Sequence, residues 1–383
     1  MKIGIITINS AYNYGCVLQA WSLQRFLEKE GHEAEIINYR TPAIDNVYRL
    51  FVPKKRFSNK FLNRCYNKLR RIKFNRTQKP RIIKAEKFEH FINEVMNTTE
   101  TVYRSYKQLE DGDAGAPYDA LITGSDQVWN GSITKGLKPA YFLAFEKTGK
   151  PKLAYASSIG KRKLSIPAQD FFRGFLREYA AIAVREASAQ ELLQPLLEQP
   201  VSVVLDPTLL LEKQDFDAMK VPSKYQQPYI LVHVIGKDAR LNAIVEQVSQ
   251  QTGLPVVQNR MAQKYTNELG RFADAGPEEF LGLVEGAALV ITNSFHATVF
   301  SVIYERNFIT IPHKTYPERM ANLLNEIGLS EHLIGNKELL PESIEELQPD
   351  YREVKERLQQ RQEESREVLR QEVALAESLI QKK

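Results

Sequence analysis

At 383 residues the chain is longer than a single hydrophobic core usually sustains, so two domains are expected. Hydrophobic residues at 43% and charged residues at 26% are ordinary globular values, and no run approaches the roughly 20 apolar residues of a membrane span. Two cysteines, Cys16 and Cys65, exclude a disulfide framework; with an opening, MKIGIITINS, too short in apolar residues for a secretory signal, a cytoplasmic protein is expected.

In chain order, KIGIIT reads as a buried strand and INSAYNYG as the polar loop after it. CVLQAWSLQRFLEKEG has apolar residues at helical spacing and Gly31 at its end. EAEIINY is the next strand, completing a βαβ unit that opens a parallel, doubly wound sheet. A basic segment follows: fourteen Lys/Arg and no Asp/Glu between Arg49 and Lys84, which leaves nine net negative charges on the rest of a chain whose total is +5. Within it Phe57, Phe61, Cys65, Leu69 and Ile72 recur every three to four residues, an apolar stripe on a basic helix. Such a helix, in an insertion over about 49–90, would lie on an anionic membrane surface or pack as a plain surface helix; nucleic acid, for which no motif is present, is the lesser alternative.

KAEKFEHFINEVM predicts another helix, and YDALITGSDQVWN, KLAYASSIG, AIAVRE and VSVVLDPTLLL each predict a strand running into a loop. PYILVHVIG starts a second series: helix LNAIVEQVSQQTG, strand PVVQ, helix GPEEFLGLVEGA, strand ALVIT, helix ATVFSVIYER, strand FITIP, and helix PERMANLLNEIG. The expectation is an α/β protein of two Rossmann-like domains facing a cleft, residues 1–210 and 211–340, followed by an amphipathic helix over 341–383. That last helix would pack back on the body or pair with a second subunit.

Ligands of open α/β sheets bind beyond the carboxyl ends of the strands. ALVIT ends there, and Asn293, Ser294 and His296 occupy the turn into the next helix, where free N–H groups and the dipole favour an anion. Asn293 or Ser294 would cap the helix, and His296 would hold the anion or move a proton. A helix end supplies only about 0.3–1 kcal/mol, so cations must assist. Arg185, His313, Lys314 and Arg319 are the candidates.

On the first domain Ser125, Asp126 and Gln127 stand beyond a strand, and Asn13, Tyr14 and Gly15 at a helix start. Asp126 with Gln127 would grip sugar hydroxyls or supply a base. The loop lacks dinucleotide-fingerprint spacing, the two D-x-D pairs (Asp111/Asp113 and Asp215/Asp217) do not follow strands, and no zinc spacing or G-x-S-x-G elbow occurs.

Taken together, NYGCVLQAWSLQRFLEKEGHEAEIINY, ITGSDQVWN, YASSIG, the VRE and LDPTLLL pair, and NSFHATVFSVIY resemble the polysaccharide pyruvyl transferase family over roughly residues 1–330. One departure is Ala297, where the family often has glycine after the motif histidine. The resemblance implies a fold similar to the glycosyltransferase B architecture and phosphoenolpyruvate as donor, chemistry that requires no cofactor or metal. It further implies transfer of pyruvate as a ketal onto two hydroxyls of a saccharide; a lipid-linked saccharide would explain the basic segment. It makes His296 the catalytic and donor-binding residue, with Arg185 and Lys314 at donor-binding positions. The rival readings are a nucleotide-sugar glycosyltransferase, which usually carries a glutamate in the loop that holds NSFH here, and a non-enzymatic scaffold at the membrane surface. A peripheral location at the inner face of the cell membrane would suit the basic segment.

Overall fold

The computed structural model of the protein describes residues 1–41, 44, 55–260, 263–312, 318–335 and 348–382. The apolar run KIGII forms β1 (Lys2–Ile6), with Ile3, Ile5 and Ile6 fully buried because helices cover both faces of the sheet. Asn13 then caps helix α1 (Tyr14–Lys29) by accepting from the Gly15 N–H, and β2 (Glu33–Ile36) returns parallel to β1. Further strands β3 (Ala120–Thr123), β4 (Lys152–Ser157), β5 (Ala181–Val184) and β6 (Val201–Val203) complete a parallel sheet ordered β2-β1-β3-β4-β5-β6. Between β2 and β3 the basic segment folds as α2 (Lys60–Thr77) and α3 (Lys79–His90), the latter running on into a π-helical turn at Phe91–Val95.

The second sheet holds β7 (Ile230–His233), β8 (Val256–Gln258), β9 (Glu268–Arg271), β10 (Leu289–Thr292) and β11 (Asn307–Thr310), all parallel, in the order β11-β10-β7-β8-β9. Around it lie α4 (Ala239–Thr252), α5 (Pro277–Glu285), α6 (Phe295–Ile303) and α7 (Glu318–Glu326). This is the expected α/β architecture of two Rossmann-like lobes. β9 was not anticipated: Glu268-Leu-Gly-Arg271 has no apolar run, and its residues are only half-buried at the sheet edge.

The last helix, α8 (Tyr351–Gln381), begins on the second lobe, where the Tyr351 hydroxyl donates to the Arg306 carbonyl at 2.5 Å. It ends on the first, through Gln362 Nε2 to the Leu209 carbonyl (2.9 Å), Ser365 Oγ accepting from the Leu205 N–H (3.0 Å), and Arg370 to Glu30 (2.9 Å). Its buried residues Val354, Leu358, Gln362, Ser365, Leu369, Val373 and Ala376 recur at three and four, one face of a helix. Of the two roles expected for this helix, the structure displays the packing on the body. One hydrophobic cluster runs from β1 through α1 into α5, α6 and α8, so the lobes share a core across their seam.

Candidate active site

Both sheets reverse their strand order beside the first strand of each: β1 lies between β2 and β3, and β7 between β8 and β10. Loops at such switch points splay apart and leave a crevice at the carboxyl ends of the strands. Here the two crevices face each other and enclose a cavity of about 430 Å3, a size typical of small-molecule sites. The first lobe contributes Asn13 and Cys16 from the β1–α1 turn and Asp126 and Gln127 from beyond β3. The second contributes Asn293, Ser294 and His296 from the β10–α6 turn and Arg319 from the first turn of α7. The amino ends of α1 and α6 therefore converge on the same space. Each favours an anion by about 0.3–1 kcal/mol.

Ser294 is the cap of α6, accepting from the Ala297 N–H at 3.4 Å. Asn293 does other work: its side chain accepts from the Ile235 N–H (2.7 Å) and donates to the Ile235 carbonyl (3.1 Å), fixing the loop after β7. His296 then projects across the seam. Its ring packs on Gly15 so closely that a β-carbon there would lie 2.0 Å from Nδ1, while Nε2 stands 3.5 Å from Asp206 Oδ2.

Asp206, just after β6, organises the floor of the site. Its Oδ2 also accepts from Arg185 Nη1 (2.7 Å) and Ser125 Oγ (3.1 Å), and its Oδ1 from the Thr208 N–H (3.1 Å) and hydroxyl (2.7 Å). Burial alone would push this carboxyl up; His296 and then Arg185 overcome that and hold it far below the usual carboxylate range. Asp206 is thus a buried anion that pairs with Arg185 on its own lobe and faces His296 from the other. Sequence reasoning missed it: an Asp-Pro after a strand reads as a turn cap, a role it also fills for Thr208, and nothing local marks the second role.

The expected residues separate into three groups. Asn13, Asp126, Gln127, Asn293, Ser294, His296 and Arg319 line the cavity. Ser125 and Arg185 lie beneath it, both bonded to Asp206; Arg185 is 8% exposed and stacks 5.1 Å from the Phe295 ring centroid, with Arg319 5.8 Å from the same ring. Arg185 therefore touches the site through Asp206 and Phe295 rather than from the cavity wall. Tyr14, expected among acceptor contacts, turns to the lobe seam instead: its ring stacks on Phe280 (4.1 Å, 4°) and its hydroxyl donates to the Ala275 carbonyl at 3.0 Å. An aromatic ring on the first turn of α1 finds more apolar contact there than over the polar cavity. Gly15 supports the His296 ring. Lys314 and His313 lie outside the described residues.

Asp126 occupies a left-handed conformation (φ 72°), tolerable for a short polar side chain. Its carboxylate accepts from the Gln127 N–H (2.8 Å) and from Cys16 Sγ (2.9 Å). Burial, then Asp126, push the Cys16 thiol up, so Cys16 is a donor here and no nucleophile. His233, at the end of β7, is held neutral by burial first and then by Lys84 and His296, its value drawn down to about 3. Burial first, then Arg185, draw Arg319 down. Among the described residues no group of three His, Cys, Asp or Glu side chains could hold a metal ion.

Fold and site together define a two-lobed α/β enzyme whose small-molecule cavity lies between facing switch points. The family model for polysaccharide pyruvyl transferase matches residues 13–315, and the chain belongs to that family; it is a transferase. No curated protein matches the chain in sequence. Solved structures similar to it include the spinosyn forosaminyltransferase SpnP, at 12% identity over 98% of this chain and 99% of that one (TM-score 0.48). The glycosyltransferase SnogD from Streptomyces nogalater is 14% identical over 98% and 99% (0.42). UDP-GlcNAc 2-epimerase from Neisseria meningitidis, bound to UDP-GlcNAc, is 9% identical over 98% and 100% (0.47).

Proposed function

We propose that the enzyme transfers the pyruvyl group of phosphoenolpyruvate onto two hydroxyls of a saccharide, forming a ketal and releasing phosphate. The observation that carries this reading is the His296–Asp206 contact at 3.5 Å across the seam, at the wall of a cavity onto which two helix amino ends converge. The donor is an enol ether bearing a carboxylate and a phosphate. The α6 amino end, Arg319 and Lys314 are its anion-binding groups, with Arg185 adding positive charge from beneath. His296 gives a proton to the methylene carbon, which becomes the ketal methyl and leaves C2 electrophilic. One sugar hydroxyl adds at C2, and its proton replaces the one His296 gave. The C2–phosphate bond then breaks, with the departing charge stabilised by the cations, and the second hydroxyl closes the ring while its proton leaves with phosphate. Asp126, on the first-lobe wall, orients or deprotonates an acceptor hydroxyl, with Asn13 and Gln127 beside it; Gly15 supports from the α1 turn.

The acceptor is a saccharide of surface or exopolysaccharide synthesis, and a lipid-linked one would set the reaction at the inner face of the cell membrane. The test is phosphate release from phosphoenolpyruvate with and without saccharide, followed by mass spectrometry for the added pyruvate. Release should require both substrates, and His296→Ala should cost at least about 100-fold in turnover while the protein stays folded. Turnover of a nucleotide sugar instead would make the enzyme a glycosyltransferase.

A further inference from the structure

Helix α2 leaves a row of apolar side chains facing outward. On an ordinary surface helix the apolar stripe faces the body and the charges face water. Here the half-buried positions are Asn63, Tyr66, Asn67, Arg70 and Phe74, three of them polar or charged, whereas Phe61 is 70% exposed, Leu69 69% and Leu62 49%, with Cys65 exposed between them. Phe61, Cys65 and Leu69 are spaced by four, so they form one outward row. Lys60, Arg64, Lys68 and Arg71, all exposed, run alongside that row, and Phe57 (39% exposed) extends it at the amino end. Contiguous exposed apolar side chains of this kind mark an interaction surface.

We propose that the outward face of α2 lies in the interface of an anionic lipid bilayer, with Phe61, Leu62 and Leu69 entering the acyl boundary and the flanking cations meeting lipid phosphates. The charge pattern selects this partner. The segment from Arg49 to Lys84 holds no acidic residue at all, so a neutral apolar partner leaves its cations unanswered and a second copy of the same face would meet like charge. Nucleic acid would answer the cations but would leave the aliphatic Leu62 and Leu69 in water. An anionic membrane surface satisfies both halves at once. Among the described residues no helix is long and apolar enough to cross a membrane, so contact is in the plane of the interface. The proposal does not depend on the pyruvyl chemistry, but it agrees with an acceptor carried on lipid.

The test uses the full chain and vesicles of phosphatidylglycerol mixed equally with phosphatidylcholine, against vesicles of phosphatidylcholine alone. The protein should sediment with the first and not the second, and added salt should weaken binding. Phe61→Ser with Leu69→Ser should lower vesicle affinity by roughly tenfold or more, as should Lys60→Glu with Arg64→Glu and Lys68→Glu. Both variants should keep the wild-type thermal midpoint and the wild-type turnover of a water-soluble saccharide, because every substituted side chain is exposed. Equal binding by the apolar variant, or none by the wild type, overturns the proposal. So does a wild-type dimer that the variants dissolve, or oligonucleotide binding that the Phe61/Leu69 variant weakens. Failure of the transfer assay with normal vesicle binding would count against the proposed chemistry alone.

Discussion

Gly15 is where the first lobe makes room for the histidine of the second. Its value is space: a β-carbon would stand 2.0 Å from His296 Nδ1 and 2.4 Å from Cγ, far inside contact distance. Alanine favours the first turn of a helix, so Gly15→Ala carries no penalty to α1 itself. The strain falls on the His296 ring, which must give up its station 3.5 Å from Asp206. Turnover should therefore drop by about 100-fold, the scale of an ångström's misplacement, while the thermal midpoint moves only slightly. Steady-state kinetics beside a melting curve check this, and near-normal turnover would mean that ring position is immaterial. His296 was legible in the sequence because three local signals coincide: a strand end, a capping serine and an imidazole. Asp206 and Gly15 were not legible in these roles, because both depend on lobes brought together from residues 90 or more apart. Arg185 was a candidate cation from its place after a strand, but its burial beneath the cavity follows from Asp206.

At the scale of elements, apolar periodicity located most strands and the helices flanking the site, since each covers a sheet face and its pattern records that contact. It failed at β9, an edge strand with little to bury, and it identified the α2 stripe without indicating which way the stripe faces. It also marked the terminal helix as amphipathic without showing that one carboxyl lies on the buried face. Glu372 of α8 is 5% exposed, one of its carboxylate oxygens has no partner, and burial raises its titration well above the usual range. The unfolded side chain ionises near pH 4.3, so the folded state keeps its full stability below that pH and loses it as pH rises toward the folded value. Glu372→Met should stabilise the protein by about 1–3 kcal/mol at neutral pH and by progressively less as the pH falls toward about 4. Urea unfolding across that range checks it; a gain that does not vary with pH would place the benefit in packing rather than ionisation.

At the scale of the whole molecule the cavity exists only while the lobes hold their registration, and one side chain on the first lobe has most of its surroundings on the second. Tyr14 stacks flat on Phe280, donates to the Ala275 carbonyl, and receives Lys84 Nζ 4.2 Å from its ring centroid. Nearby Lys87 of α3 grips Glu279 at 2.5 Å, the same carboxylate that caps α5 through the Gly276 N–H at 2.8 Å. The pair is about a third exposed at each end and adds little alone, so Tyr14 is the stronger of these two contacts across the seam. Tyr14→Ala should cost about 3–5 kcal/mol, as large aromatic truncations in cores do, and the loss should fall on the seam rather than on either sheet. Strand packing within each lobe is untouched, and α8 still links them. The calorimetric transition should therefore broaden or split into two, and turnover should fall because His296 and Asp206 sit on opposite lobes. A single sharp transition at a lower temperature, with turnover intact at low temperature, would show that α8 and the shared core align the lobes without this stack.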